Sequence, residues 1–132
     1  MKTSFCHCIM LRKATRRVSA IYDEALQPAG INIGQFSLLR NIARRAPVSL
    51  TELGAVMELD RSTIGRNTKI LERMGLVETL AGKDSREALL ALTEAGKKVL
   101  ETAMPLWETA QHTISAKLGN GAEQFHELLS TL

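Results

Sequence analysis

The chain has 132 residues, 45% of them apolar and 23% charged, which suits one domain that buries a core without disulfide staples. Aromatics are scarce at 4%, which argues against a base-stacking RNA platform, and no apolar run approaches the roughly 20 residues of a membrane span. The net charge of +3 is unevenly placed: residues 1–60 and the much shorter 61–86 each carry +3, whereas 87–132 carry −3, so a polyanion contacting the middle of the chain is expected.

The expected architecture is mostly helical. From about Phe5 to Leu26, the residues Leu11, Ala14, Val18, Ile21, Tyr22 and Ala25 recur at steps of three and four, one apolar helical stripe with Arg12, Lys13, Arg16 and Arg17 largely off it. Pro28 and Gly30 end this helix. Phe36, Leu38, Leu39, Ile42 and Ala43 mark a second, short helix that stops before Pro47. Ser49-Leu50-Thr51-Glu52 fits a capping box, in which the Ser hydroxyl and the Glu carboxylate each satisfy a free backbone N–H. It opens a short helix with Leu50, Leu53, Val56 and Met57 inward. Asp60 is the next N-cap, its charge suited to a helix N-terminus, and the helix it starts runs to about Met74 and stops at Gly75.

The hydrophobic period then changes. Residues 76–80 and 88–92 are strand-like in length and flank the polar turn 81–86, so they form a hairpin. Thr93 caps a long helix bent at Pro105 and broken at Gly119-Asn120-Gly121, and a last short helix carries Phe125, Leu128 and Leu129.

The order helix, turn, helix, hairpin over 49–93 is that of a winged helix, in which the first helix braces the second and the second enters the DNA major groove. Ile64, Leu71 and Met74 should face the core, leaving Arg61, Ser62, Thr63, Arg66, Asn67 and Lys69 outward, with Arg73 placed for the backbone. Arg and Lys suit guanine edges or phosphates, Asn suits adenine, and hydroxyls suit phosphate oxygens. Lys83 and Arg86 at the hairpin tip are within reach of a neighbouring minor groove. A helical hairpin with a merely solvated polar face explains the periodicity but not this basic tip.

The runs L-T-E-L-G, L-D-R-S-T-I-G-R and L-E-R-M-G-L-V, followed by K-D-S-R and L-L-A-L-T-E-A-G-K, resemble the MarR family of bacterial transcription regulators. The likeness extends to the P-x-G-I and Q-F-S-L-L segments before and within the second helix and to L-W-E in the late helix. Its most specific element is the D-x-R wing followed by L-T-x-x-G, present as Asp84, Arg86, Leu92, Thr93 and Gly96. The resemblance implies a winged helix-turn-helix over 34–92 within a single domain 1–132, with dimerisation helices over 5–26 and 94–132. It further implies a homodimeric repressor that binds an inverted-repeat double-stranded DNA operator, with Asp84 supporting an Arg86 that enters the minor groove. A cytoplasmic location is expected because the sequence carries neither a span-length apolar run nor an N-terminal apolar stretch like that of a signal peptide.

For control of such a regulator the sequence leaves three readings. Many members of the family release DNA on binding small aromatic or anionic effectors, and Arg16, Arg17 and Tyr22 are candidates to line that pocket. In organic-hydroperoxide-sensing members a Cys near the start of the first helix is the sensor. Counting from Arg16 and Tyr22, Cys8 falls at that position, with Cys6 beside it and Tyr22 at the place of a tyrosine that binds the sensing thiolate. Arg12 and Ile33 stand where those sensors carry further tyrosines, so the pocket differs. Third, Cys8 is simply a small apolar interface residue. A metal site in Cys6-His7-Cys8 is disfavoured because consecutive helical residues point about 100° apart, and no metal or cofactor is expected. His112 and His126 are read as surface or interface residues. No nucleophile constellation, phosphate-cradling loop or metal-ligand helix motif points to an enzyme, and a helical protein adaptor without DNA binding is the alternative of another class.

Overall fold

A computed structural model describes residues 4–81 and 88–132. Among these residues six α-helices and three short strands follow in the order α1 (His7–Leu26), α2 (Ile33–Arg45), β1 (Val48–Ser49), α3 (Leu50–Met57), α4 (Arg61–Arg73), β2 (Val77–Ala81), β3 (Ala88–Leu92), α5 (Glu94–Leu118) and α6 (Ala122–Ser130), with short 3-10 turns at Gln27–Ala29 and Gly119–Gly121. The mostly helical winged architecture expected from the sequence is therefore present, and its hairpin is extended by one strand. β3 is central, with β1 and β2 antiparallel on either side, Val48 opposite Leu90 and Thr79 also opposite Leu90. Strand β1 has no counterpart among the expected elements. Two residues carry too little pattern to announce a strand, and pairing with Leu89 and Leu90, distant in sequence, is what defines it.

The core gathers Leu26, Phe36, Leu39, Ile42, Val48, Leu53, Ile64, Leu71 and Leu90, so α1, α2, α3, α4 and the sheet share one apolar centre. Each fully buried Leu or Ile is worth about 1.5–3 kcal/mol, and Ile64 and Leu71 together seat α4. Trp107 of α5 stacks on Phe36 with ring centroids 5.6 Å apart, and the Arg40 guanidinium lies 4.6 Å from the Trp107 centroid. This cluster ties α2 to the long helix.

Helix ends largely follow the local signals. Asp60 accepts from the Thr63 N–H at 2.7 Å, Thr93 accepts from the Gly96 N–H at 3.0 Å, and Gly75 turns the chain at φ +76°. At Ser49 only half of the expected capping box forms: its hydroxyl accepts from Glu52 N–H at 3.1 Å, while its own backbone belongs to β1. The reciprocal box occurs instead at Asn32 and Gln35, opening α2, and Asp23 reaches from α1 to accept from Ile33 N–H at 2.8 Å.

Two expected core residues lie outside. Val56 is 42% exposed, because the inner side of the eight-residue α3 is filled by Leu53 and by Gly54, which packs against the Leu59 carbonyl. Met74 is 41% exposed because α4 ends at Arg73 and the next core place is taken by Leu76 after the turn. α5 runs unbroken from Glu94 to Leu118 through Pro105. α1 lies along it, and the Tyr22 hydroxyl donates to the Gln111 side chain.

Candidate nucleic-acid interface

The polar face of α4 follows from what its opposite face must bury. Ile64, Thr68 and Leu71 recur at steps of four and three and are buried. Thr68 is admitted to the core because its hydroxyl donates to the Ile64 carbonyl at 2.6 Å, so a polar residue that apolar periodicity passes over completes the inner face. On the far side, Ser62, Arg66, Lys69 and Arg73 recur at steps of four, three and four, so they stand in one exposed stripe. The structure thus gathers three cations and a hydroxyl on one line along a 13-residue helix.

The remaining expected residues of α4 distribute around that line. Arg61 is exposed in the first turn and Thr63 is half-buried. Asn67 is exposed but sits on the flank toward α2, lining a recess with Asn32, Gly34, Gln35, Leu38 and Ile70. Glu72 lies on the other flank, where its carboxylate accepts from the Thr79 hydroxyl of β2. Lys83, Asp84 and Arg86 lie outside the described residues.

Asp60 organises the start of α4. It accepts from the Thr63 N–H and from the Ser62 hydroxyl at 2.9 Å, and Arg66 reaches the Thr63 hydroxyl at 3.4 Å. The Thr63 backbone hydrogen bond foremost, then the Thr63 and Ser62 side chains, hold the Asp60 carboxyl down at about 2. The cap is a carboxylate throughout the ordinary pH range, with its negative charge at the positive end of the helix.

The C-terminal end of α4 is clamped with equal definition. Gly75 N–H donates to Glu72 O at 2.9 Å and Leu76 N–H to Leu71 O at 3.0 Å. Thr93, the cap of α5, donates its hydroxyl to Gly75 O at 2.6 Å and its N–H to Leu76 O at 3.1 Å. The beginning of the long helix is thereby fastened to the end of α4.

The candidates for control do not converge on one pocket. Tyr22 lines a largely apolar cleft of about 500 Å³ between α1, α5 and α6, together with Val18, Ile33, Gln111, Phe125 and His126. Arg16 belongs instead to an open recess with Cys8, Leu11, Arg12 and Thr15, and Arg17 is exposed. Their separation is a consequence of helical phase: six residues at about 100° each leave the side chains of Arg16 and Tyr22 roughly 120° apart around α1. Cys6, which stands just before α1 without a capping side-chain hydrogen bond, and Cys8 are both exposed free thiols. His112 is exposed, and among the described residues no group of three or more His, Cys, Asp or Glu is gathered as a metal would require. None of the described helices is long and apolar enough to cross a membrane.

The comparisons with known proteins agree with this fold. The MarR family model matches residues 31–87. A crystal structure of the M. tuberculosis transcriptional regulator MosR in complex with DNA superposes with a TM-score of 0.86 at 33% identity, covering 96% of this chain and 93% of that one. A mutant MarR from E. coli complexed with operator DNA gives a TM-score of 0.84 at 25% identity, covering 92% of this chain and 89% of that one. Among curated proteins, the uncharacterized HTH-type transcriptional regulator YwoH of Bacillus subtilis is 29% identical over 91 residues. That match spans 69% of this chain and 66% of YwoH, just under two thirds of the relative's length.

Proposed function

The chain belongs to the MarR family of transcriptional regulators, and from that premise we propose that it is a homodimeric, sequence-specific double-stranded DNA-binding repressor rather than an enzyme. The observation that carries this reading is the exposed stripe of Ser62, Arg66, Lys69 and Arg73, on the side of α4 opposite the buried Ile64 and Leu71. A helix anchored on one side and cationic on the other fits a major groove roughly 12 Å wide, where guanidinium groups reach guanine edges and phosphates. The winged segment 34–92 reads the duplex, and Lys83 and Arg86, the latter supported by Asp84, add minor-groove contacts.

Segments 5–26 and 94–132 hold two copies together. In support, Ile9, Met10, Leu11, Phe125, Leu128 and Leu129 are all at least 37% exposed in the single chain. A monomer leaves that apolar surface in water. Two-fold symmetry then presents the α4 helices to successive major grooves about 34 Å apart, so the operator is an inverted repeat.

Release follows from a two-state equilibrium in which an effector prefers the dimer spacing that DNA does not. The cleft containing Tyr22 is the candidate effector site, for a small aromatic or anionic ligand, and its apolar walls favour the aromatic kind. A second reading rests on the exposure of Cys6 and Cys8. Here a hydroperoxide oxidises the Cys8 thiol to a sulfenic acid and is itself reduced to the alcohol. Intact mass and DNA affinity after mild hydroperoxide, with Cys8→Ser as control, separate the two.

Fluorescence anisotropy across a salt series tests the DNA reading. Neutralising roughly 6–10 phosphates makes affinity fall steeply as salt rises. Arg86→Ala should weaken binding about tenfold or more while the dimer persists. Affinity indifferent to salt would argue for a protein adaptor instead.

A further inference from the structure

The stripe on α4 has unlike flanks: Asn67 on the side of α2, and Glu72 on the side of β2. Glu72 is one of only three acids in the basic segment 61–86, an unfavourable charge for a face that meets DNA. Its use lies in what it holds. β2 leaves α4 through the tight turn at Gly75, and only Val77 of its five residues is buried; Glu78, Thr79, Leu80 and Ala81 are exposed. Beyond Val77 the strand therefore extends without side chains of its own in the core. Strand alternation puts Thr79 on the same side as Val77, and its hydroxyl donates to the Glu72 carboxylate. Among the described residues this is the one side-chain hydrogen bond joining α4 to β2.

The geometry points to Glu72 as a positioning residue for DNA recognition: through Thr79 it fixes the tilt of β2 against α4, so that helix and strand address the duplex as one rigid unit. The inference rests on the DNA-binding reading above. It assigns Glu72 no contact with DNA, and it explains why a carboxylate stands among the cations.

The test uses the full chain and a duplex recovered by it from a random pool. Thr79→Val keeps the shape and strand propensity but removes the donor, and one hydrogen bond converts to a loss of affinity of about threefold to tenfold. Thr79→Ser restores the hydroxyl and Glu72→Gln keeps a carbonyl acceptor without the charge, so both should stay within about twofold of the parent. Without DNA, amide exchange along β2 should quicken in Thr79→Val but not in Thr79→Ser.

Parent-like affinity in Thr79→Val overturns the inference. So does tighter binding by Glu72→Gln with Thr79→Val unchanged, which would make Glu72 a simple repulsive charge. A loss in Thr79→Val that Thr79→Ser fails to rescue, accompanied by a lower melting temperature, also overturns it. If the parent itself selects no duplex, the DNA-binding reading fails and takes this inference with it, whereas unchanged amide exchange in Thr79→Val removes the inference alone.

Discussion

Gly96, in the first turn of α5, lies against the Leu76 carbonyl so closely that a Cβ there would stand 2.0 Å from its oxygen. Thr93 completes the junction, donating to Gly75 O and Leu76 O while capping its own helix through Gly96 N–H. The L-T-x-x-G motif is thus a fastening between the long helix and the end of α4. On the proposed reading, this junction would hand any change in how α5 sits in a dimer to the end of α4.

Gly96→Ala should force this junction open and cost about 1–3 kcal/mol or more, as overpacking against backbone does. Thr93→Ala, which loses a cap and a hydrogen bond, should cost about 1–2 kcal/mol. Denaturant titration measures both, and a neutral Gly96→Ala would contradict the close approach.

Asp60 gives a pH signature. Its folded carboxyl sits at about 2 against an ordinary 3.8, held down first by the Thr63 N–H, so the stabilisation is fully present above the ordinary value and is lost as pH falls from about 4 toward 2. The stability difference between the parent and Asp60→Ala should be flat near neutrality and shrink across that acid window. A difference that persists below pH 2 would contradict the ionised cap.

Tyr22 is the one tyrosine of the chain, so its ionisation can be followed by absorbance alone. Burial raises its phenol above the ordinary 10.0. The neutral form favours the fold, so its contribution is intact below pH 10 and is lost as pH rises through the folded value. The tyrosinate band should appear at higher pH in the native protein than in urea. Coincident curves would mean that the hydroxyl is free of the cleft.

Asp60, Gly75 and Thr93 were readable in the sequence because caps obey rules three residues long. The basic stripe was readable because Ile64 and Leu71 fix the phase of α4. Val56 and Met74 misled because period alone does not tell which apolar side finds a partner. The place of Asn67 at the edge of the stripe, beside Gln35 and Leu38, depends on where α2 packs and leaves no local trace in the sequence. Partners far apart in sequence left no local trace: Tyr22 with Gln111, Val48 with Leu90, Thr79 with Glu72. Arg16 and Tyr22 are expected in one effector pocket, and the turn of α1 sends them to different recesses.

Within the stripe, Arg73→Ala should weaken binding to all sequences alike and lower the salt slope by about 1 for the phosphate no longer neutralised. Arg66→Ala and Lys69→Ala should weaken binding and also relax base preference where a guanine contact is lost. Asn67→Ala carries no charge change and should leave that slope alone while altering base preference. A salt slope unchanged in all three cationic variants would mean that α4 does not face the duplex.

Sequence selection from a random duplex pool, followed by native mass spectrometry of the recovered complex, tests the central claim most directly. The expected result is two chains on one duplex and an inverted repeat with half-sites about one helical turn, roughly 34 Å, apart. A single chain bound, or a recovered pool with no common sequence at low salt, would contradict it.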